Sequence, residues 1–159
     1  MAELARIQPS LWFDSDAREA MEYYVSVFPN SHIGSITEYP ADSDEKHLSG
    51  MAGKILNGQF TLNGVDFVCI DGGPYFTFTE AISFVVLAKD QAELDDYWAK
   101  LSHVPEAEQC GWCKDRFGLS WQIIPENMGD LTRTPEQLQV VLGQKKIVIA
   151  ELEAAGAGI

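Results

Sequence analysis

A strand-then-helix passage near the N-terminus returns 74 residues later, and this return constrains the fold more than any other feature of the chain. Residues 7–13, Ile-Gln-Pro-Ser-Leu-Trp-Phe, read as a strand with Ile7, Leu11 and Phe13 on one face. Asp16 then opens a helix, and Glu19 three residues on makes an acidic form of the capping box. Ala17, Ala20, Met21, Tyr24, Val25 and Phe28 recur at helical spacing until Pro29-Asn30 ends the run. Residues 82–88, Ile-Ser-Phe-Val-Val-Leu-Ala, read as a buried strand. Asp90 caps the helix that follows, with Glu93 three residues on and Leu94, Tyr97, Trp98 and Leu101 as its apolar stripe. An offset of 74 lays Phe13 on Leu87, Asp16 on Asp90, Glu19 on Glu93, Tyr23 on Tyr97, Tyr24 on Trp98 and Val27 on Leu101. The period is too long for a solenoid, so a duplicated half-domain is the reading, against chance agreement between two amphipathic helices.

Further strands follow each helix. In the first half they fall at about 32–39, 53–62 and 64–71, the last two joined by the hairpin signal Leu62-Asn63-Gly64. In the second half a strand near 108–114 meets another at 119–124 through Lys-Asp-Arg-Phe-Gly. Residues 40–50 are polar and read as a solvated loop or a flap over a site. Thr134-Pro135-Glu136-Gln137 sets out a helix start in the preferred order, and Leu138, Val141, Leu142, Lys145, Ile149 and Leu152 continue at helical spacing. One long helix is expected there, or two short ones broken near 145–147. At 159 residues the chain fits a single domain. Module one spans about 6–72, module two about 80–126, and a C-terminal helical segment about 134–155.

Each half thus follows the pattern β-α-β-β-β, which resembles the unit of the vicinal oxygen chelate superfamily of glyoxalase I, bleomycin-resistance proteins and extradiol dioxygenases. The stretch 110–125, CGWCKDRFGLSWQIIP, is similar to the PhnB-like branch, whose label is 3-demethylubiquinone-9 3-methyltransferase. Residues 9–31 (PSLWFDSDAREAMEYYVSVFPNS), 58–64 (GQFTLNG) and 145–155 (KKIVIAELEAA) also resemble that branch. The resemblance implies an α+β fold in which two βαβββ modules form a curved mixed sheet around a cavity, with a C-terminal helix added. It also implies a homodimer.

Metal-using members of the superfamily hold their ion at four inward-facing positions, on the first and last strand of each module. The resemblance carries these onto Pro9, Val68, Ser83 and Gln122, with Gln8 or Cys69 entering if the register slips by one. Only Gln122 among the four is a plausible ligand, because a divalent ion needs converging imidazoles and carboxylates. No metal and no other cofactor is expected. His32, at a strand start, His47, in the polar loop, and His103, at a helix end, have no ligand spacing and read as surface residues.

Other motifs bear on chemistry. Cys110-Gly-Trp-Cys113 mimics a redox dithiol, but it feeds a turn rather than a helix N-terminus, and residues three apart on a strand point to opposite faces. Trp112 either lines the cavity or packs in the core. Residues 12–17 lack the glycines of a nucleotide-holding loop, and Gly72-Gly73-Pro74 reads as a turn between the halves. The aromatic run Tyr75-Phe76-Thr77-Phe78 suits a dimer interface, a pocket lip or a satellite core. Asp66, Asp71, Asp115 and Arg116 lie nearest the strands, the last two as solvated turn charges.

The net charge of −13 opposes phosphate backbones and anionic lipid, so neither nucleic acid nor a membrane is expected as partner. There is no run of about 18 apolar residues and no signal pattern at the N-terminus, so a cytoplasmic location is expected. Three cysteines make no disulfide framework. The expected function is binding of a small organic molecule without a metal, with Gln122, Ser83, Trp112, Val68 and Pro9 lining the cavity. The alternatives are an enzyme, either the methyltransferase of the family label or a metal-dependent lyase of the glyoxalase or dioxygenase type, and a structural dimer with a filled cavity.

Overall fold

Two β-sheets, each backed by one helix, organise the computed structural model, which describes residues 5–41 and 46–158. The chain divides between Thr77 and Phe78 into two compact units. The loop expected over 40–50 falls partly on residues 42–45, outside the described residues, as does the His47 side chain; Lys46–Leu48 form a short 3-10 turn.

The first unit runs β1 (Ser10–Phe13), α1 (Ala17–Val27), β2 (His32–Glu38), β3 (Ile55–Leu62) and β4 (Val65–Asp71), the expected β-α-β-β-β order. Its sheet is ordered β1-β4-β3-β2, with β1 parallel to β4 and the other pairs antiparallel. Asn63 (φ 46°) and Gly64 (φ 83°) make the tight turn between β3 and β4, where two left-handed residues match the twist of a hairpin. Helix α1 buries Ala17, Ala20, Met21, Tyr24 and Val27. Tyr24 stacks on Phe60 of β3, and Phe60 on Phe67 of β4. Gly58 permits the approach, because a Cβ there would meet Met21 Sδ at 2.8 Å and Cys69 Sγ at 2.9 Å.

The second unit runs β5 (Ser83–Ala88), α2 (Gln91–Leu101), β6 (Trp112–Lys114), β7 (Ser120–Pro125), α3 (Pro135–Gly143) and α4 (Ile149–Gly156). Its sheet has three strands, ordered β5-β7-β6, rather than the four expected of a full repeat. Ten residues separate α2 from β6, and a 3-10 turn at Pro105–Ala107 with one bridge, Gln109 to Trp112, occupies them. Main-chain N–H groups of Cys110 and Gly111 instead donate to the carbonyls of Gln144 (2.8 Å) and Lys145 (2.7 Å) in the link between α3 and α4. That link breaks the C-terminal segment into two helices. The capping box at Thr134 and Gln137 forms as its sequence predicts.

The repeat is real but its register changes along each unit. Helices α1 and α2 correspond at an offset of 74. Ser10 pairs with Val68 while Val85 pairs with Gln122, so with Gly64 laid on Gly118 the first strands correspond at 75. The link 14–16 is one residue longer than 89–90. Phe13 therefore matches buried Ala88 and not exposed Leu87. The extra residue also displaces the cap. Asp90 accepts from Glu93 N at 2.8 Å, whereas Asp16 makes no side-chain cap bond and Asp71 Oδ1 takes the Ala17 N–H at 2.9 Å instead.

Candidate functional site

Side chains on a strand alternate between faces, and residues paired across strands share a face. In the second unit Phe84, Val86, Ala88, Trp121, Ile123 and Pro125 therefore lie on one side, which α2 backs. Ser83, Val85 and Leu87 of β5, Ser120, Gln122 and Ile124 of β7, and Trp112 and Lys114 of β6 lie on the other. Val85 and Leu87 are 51% and 57% exposed. The run 82–88 is thus covered on one face only, not buried on both as its unbroken apolar character suggests.

Three of the residues singled out from the sequence meet on this open face. Gln122 Nε2 donates to Ser83 Oγ at 2.9 Å, and Trp112 sits across from Gln122 in the β6–β7 register. Val68 lies at the corresponding place in the first unit, on the side shared with Ser10 and Gln59. Pro9 does not join it. Its carbonyl accepts from Val68 N at 3.0 Å, and alternation back from Ser10 puts its ring on the Leu11 and Phe13 side. The register of 75 makes Gln8 the counterpart of Ser83, which is the one-residue slip anticipated above.

Sequence reasoning missed Ser120. It pairs with Ser83 on one side and Lys114 on the other. It is 1% exposed, and its hydroxyl is the buried side-chain polar atom that finds no hydrogen-bond partner among the described residues. A cavity of about 390 Å³ is lined by Ser120, Trp112, Cys113, Cys110, Gln109, Ala107 and Glu80. Glu80 forms an ion pair with Lys114, and hydrogen bonding from that ammonium holds the Glu80 carboxyl below the usual range.

The remaining candidates are structural. Asp71 and Asp115 are each 1% exposed, so Asp115 is no solvated turn charge. Asp71 accepts from Ala17 N and Ile55 N, both at 2.9 Å, joining α1 and β3 to the end of β4. Asp115 accepts from Phe117 N, Leu119 N and Trp121 Nε1. Gly72 and Gly73 seat Trp12: its Nε1 donates to Gly73 O at 2.9 Å, and a Cβ on Gly72 would overlap the indole. Phe76 of the aromatic run packs edge-on against the same ring at 4.9 Å. Burial, with Asp71 beside Cys69 and Asp115 beside Cys113, pushes both thiols up to about 12. His32 and His103 are exposed. Among the described residues no group of three or more His, Cys, Asp or Glu side chains converges as a metal site would require.

The family model for 3-demethylubiquinone-9 3-methyltransferase matches residues 5–124. The chain belongs to that family. A solved Bacillus cereus structure, described as a putative 3-demethylubiquinone-9 3-methyltransferase and PhnB protein, is 34% identical over 76% of this chain and 98% of its own, with a TM-score of 0.62. A Pseudomonas aeruginosa protein is 19% identical over 77% of this chain and 97% of its own, with a TM-score of 0.57, and so shares the fold. No curated protein matches the chain. The family match ends on β7, so α3 and α4 lie beyond it.

Proposed function

We propose that this PhnB-like chain binds a small organic molecule on the open β5-β7-β6 face and does so without a metal ion. The observation that carries the reading is the Gln122–Ser83 hydrogen bond, set on a sheet face whose neighbours Val85, Leu87 and Trp112 are apolar. A few polar groups placed among apolar and aromatic walls are the usual makings of a ligand site. The residues at the superfamily's metal positions do not fit a divalent ion. Val68 has no lone pair to give, Ser83 is a neutral hydroxyl that accepts from Gln122, and Gln122 and Gln8, which takes the place first assigned to Pro9, are neutral amides.

The test combines binding with metal analysis. Titration of a fragment set against protein dialysed with EDTA should give saturable binding that Gln122→Ala weakens about tenfold, the effect of losing one well-placed hydrogen bond in a buried contact. Binding that appears only when zinc, nickel or iron is restored would refute the reading. The family description names methyl transfer, and a saturable thermal shift with S-adenosylmethionine is the test for it. Leu138 and Leu142, one turn apart on α3, are apolar and exposed on the single chain, which supports homodimerisation; sedimentation at micromolar concentration tests it.

A further inference from the structure

Ser120 is the strongest unexplained feature of the molecule. Its hydroxyl is buried without a partner among the described residues, the residue lines a cavity, and in the β5–β7 register it shares a sheet face with the Gln122–Ser83 pair. A buried polar atom with no partner costs free energy that a ligand atom can return. We propose that the cavity at Ser120 takes an uncharged, flat molecule that brings one hydrogen-bonding oxygen or nitrogen to the Ser120 hydroxyl and lays its ring against Trp112. This rests on the reading of the β5-β7-β6 face as a ligand surface and names the kind of ligand.

The electrical character of the cavity selects against ions. Its one charged lining residue, Glu80, is already matched by Lys114. An anion would have to displace Glu80 from Lys114 within a chain of net charge −13, and a cation would have to displace Lys114 from Glu80. A neutral molecule leaves the pair intact. Ala107, Cys110 and Trp112 offer apolar and aromatic surface, and Trp112 supplies a broad face for an offset stack. About 390 Å³ is within the roughly 300–1,000 Å³ of small-molecule pockets.

Three probes of one shape test the claim: naphthalene, 2-naphthol and 2-naphthoate, titrated by NMR against the full chain. 2-Naphthol should bind about tenfold more tightly than naphthalene, the worth of one net hydrogen bond, and more tightly than 2-naphthoate. In Ser120→Ala the advantage over naphthalene should fall to about twofold or less. Glu80→Gln frees the Lys114 charge and should reverse the order in favour of 2-naphthoate, an arm that stands even where Ser120→Ala folds poorly. A naphthol advantage that survives Ser120→Ala, tightest binding by 2-naphthoate to the unaltered chain, or no saturable shift with any probe would each overturn the proposal. Probes that shift the Gln122 side-chain amide while ignoring Ser120 leave the ligand surface standing and remove only this inference. Failure of every probe and fragment to shift Gln122 counts against the surface itself.

Discussion

Two carboxylates decide much of the local structure. Asp71 takes a main-chain N–H from the start of α1 and another from the start of β3, and both would be orphaned in Asp71→Ala. An unpaired buried donor costs about 1–3 kcal/mol, so urea denaturation should show a loss of about 3 kcal/mol. Gly72→Ala forces a methyl into the Trp12 indole and should lower stability by about 2 kcal/mol, with a shifted Trp12 Nε1–H resonance as its mark. Cys69 and Cys113 give a pH dependence whose sign is fixed. Their folded pKa is about 12 against an ordinary 9.0, so the unfolded chain releases these protons first as pH rises. The unfolded state then binds fewer protons than the folded, and stability falls between about pH 9 and 12. The double variant Cys69→Ala, Cys113→Ala should lose less stability from pH 8 to 10.5 than the unaltered chain. None of these roles was legible beforehand. A sequence shows a carboxylate near a strand end, but not that backbone donors distant in sequence, Ala17 and Ile55, converge on it.

Elements were easier to read than contacts. Helices α1 and α2, the Asn63-Gly64 hairpin and the capping box at Thr134 rest on local chemistry, and local chemistry is written in consecutive residues. Thr134→Ala removes the side-chain acceptor for Gln137 N and should cost about 1 kcal/mol, measured by thermal unfolding. Strand faces were harder. The apolar run 82–88 hides its open side, because Val85 and Leu87 look like core residues until β7 fixes which face α2 covers. The extra residue in 14–16 moved the strand register by one without moving the helix register, so an offset taken from the helices named Pro9 where the pairing indicates Gln8. The three-strand second sheet was legible only in the shortness of the α2–β6 link. Cys110 and Gly111, just before β6, donate instead to Gln144 and Lys145, far along the chain, and no local pattern announces that.

Across the whole chain, two units of related order carry different burdens. The first packs aromatic side chains and Asp71 on its helix side and leaves Ser10 and Gln59 exposed on the other, while the second sets exposed apolar Val85 and Leu87 beside the Gln122–Ser83 pair. The family positions pointed to Gln122 and Ser83, and strand alternation to Trp112; nothing pointed to Ser120, since a serine among strand residues carries no signal until its neighbours are placed. Among the described residues no helix is long and apolar enough to cross a membrane. The proposed role of the β5-β7-β6 face is to seat an organic molecule by itself. Its most direct test follows the Gln122 side-chain amide by NMR during fragment titration, in EDTA and then with added divalent metal. Saturable shifts of that amide and of the Trp112 indole N–H, unchanged by metal, are expected. Shifts that require metal, or that gather elsewhere and leave both resonances still, would contradict it.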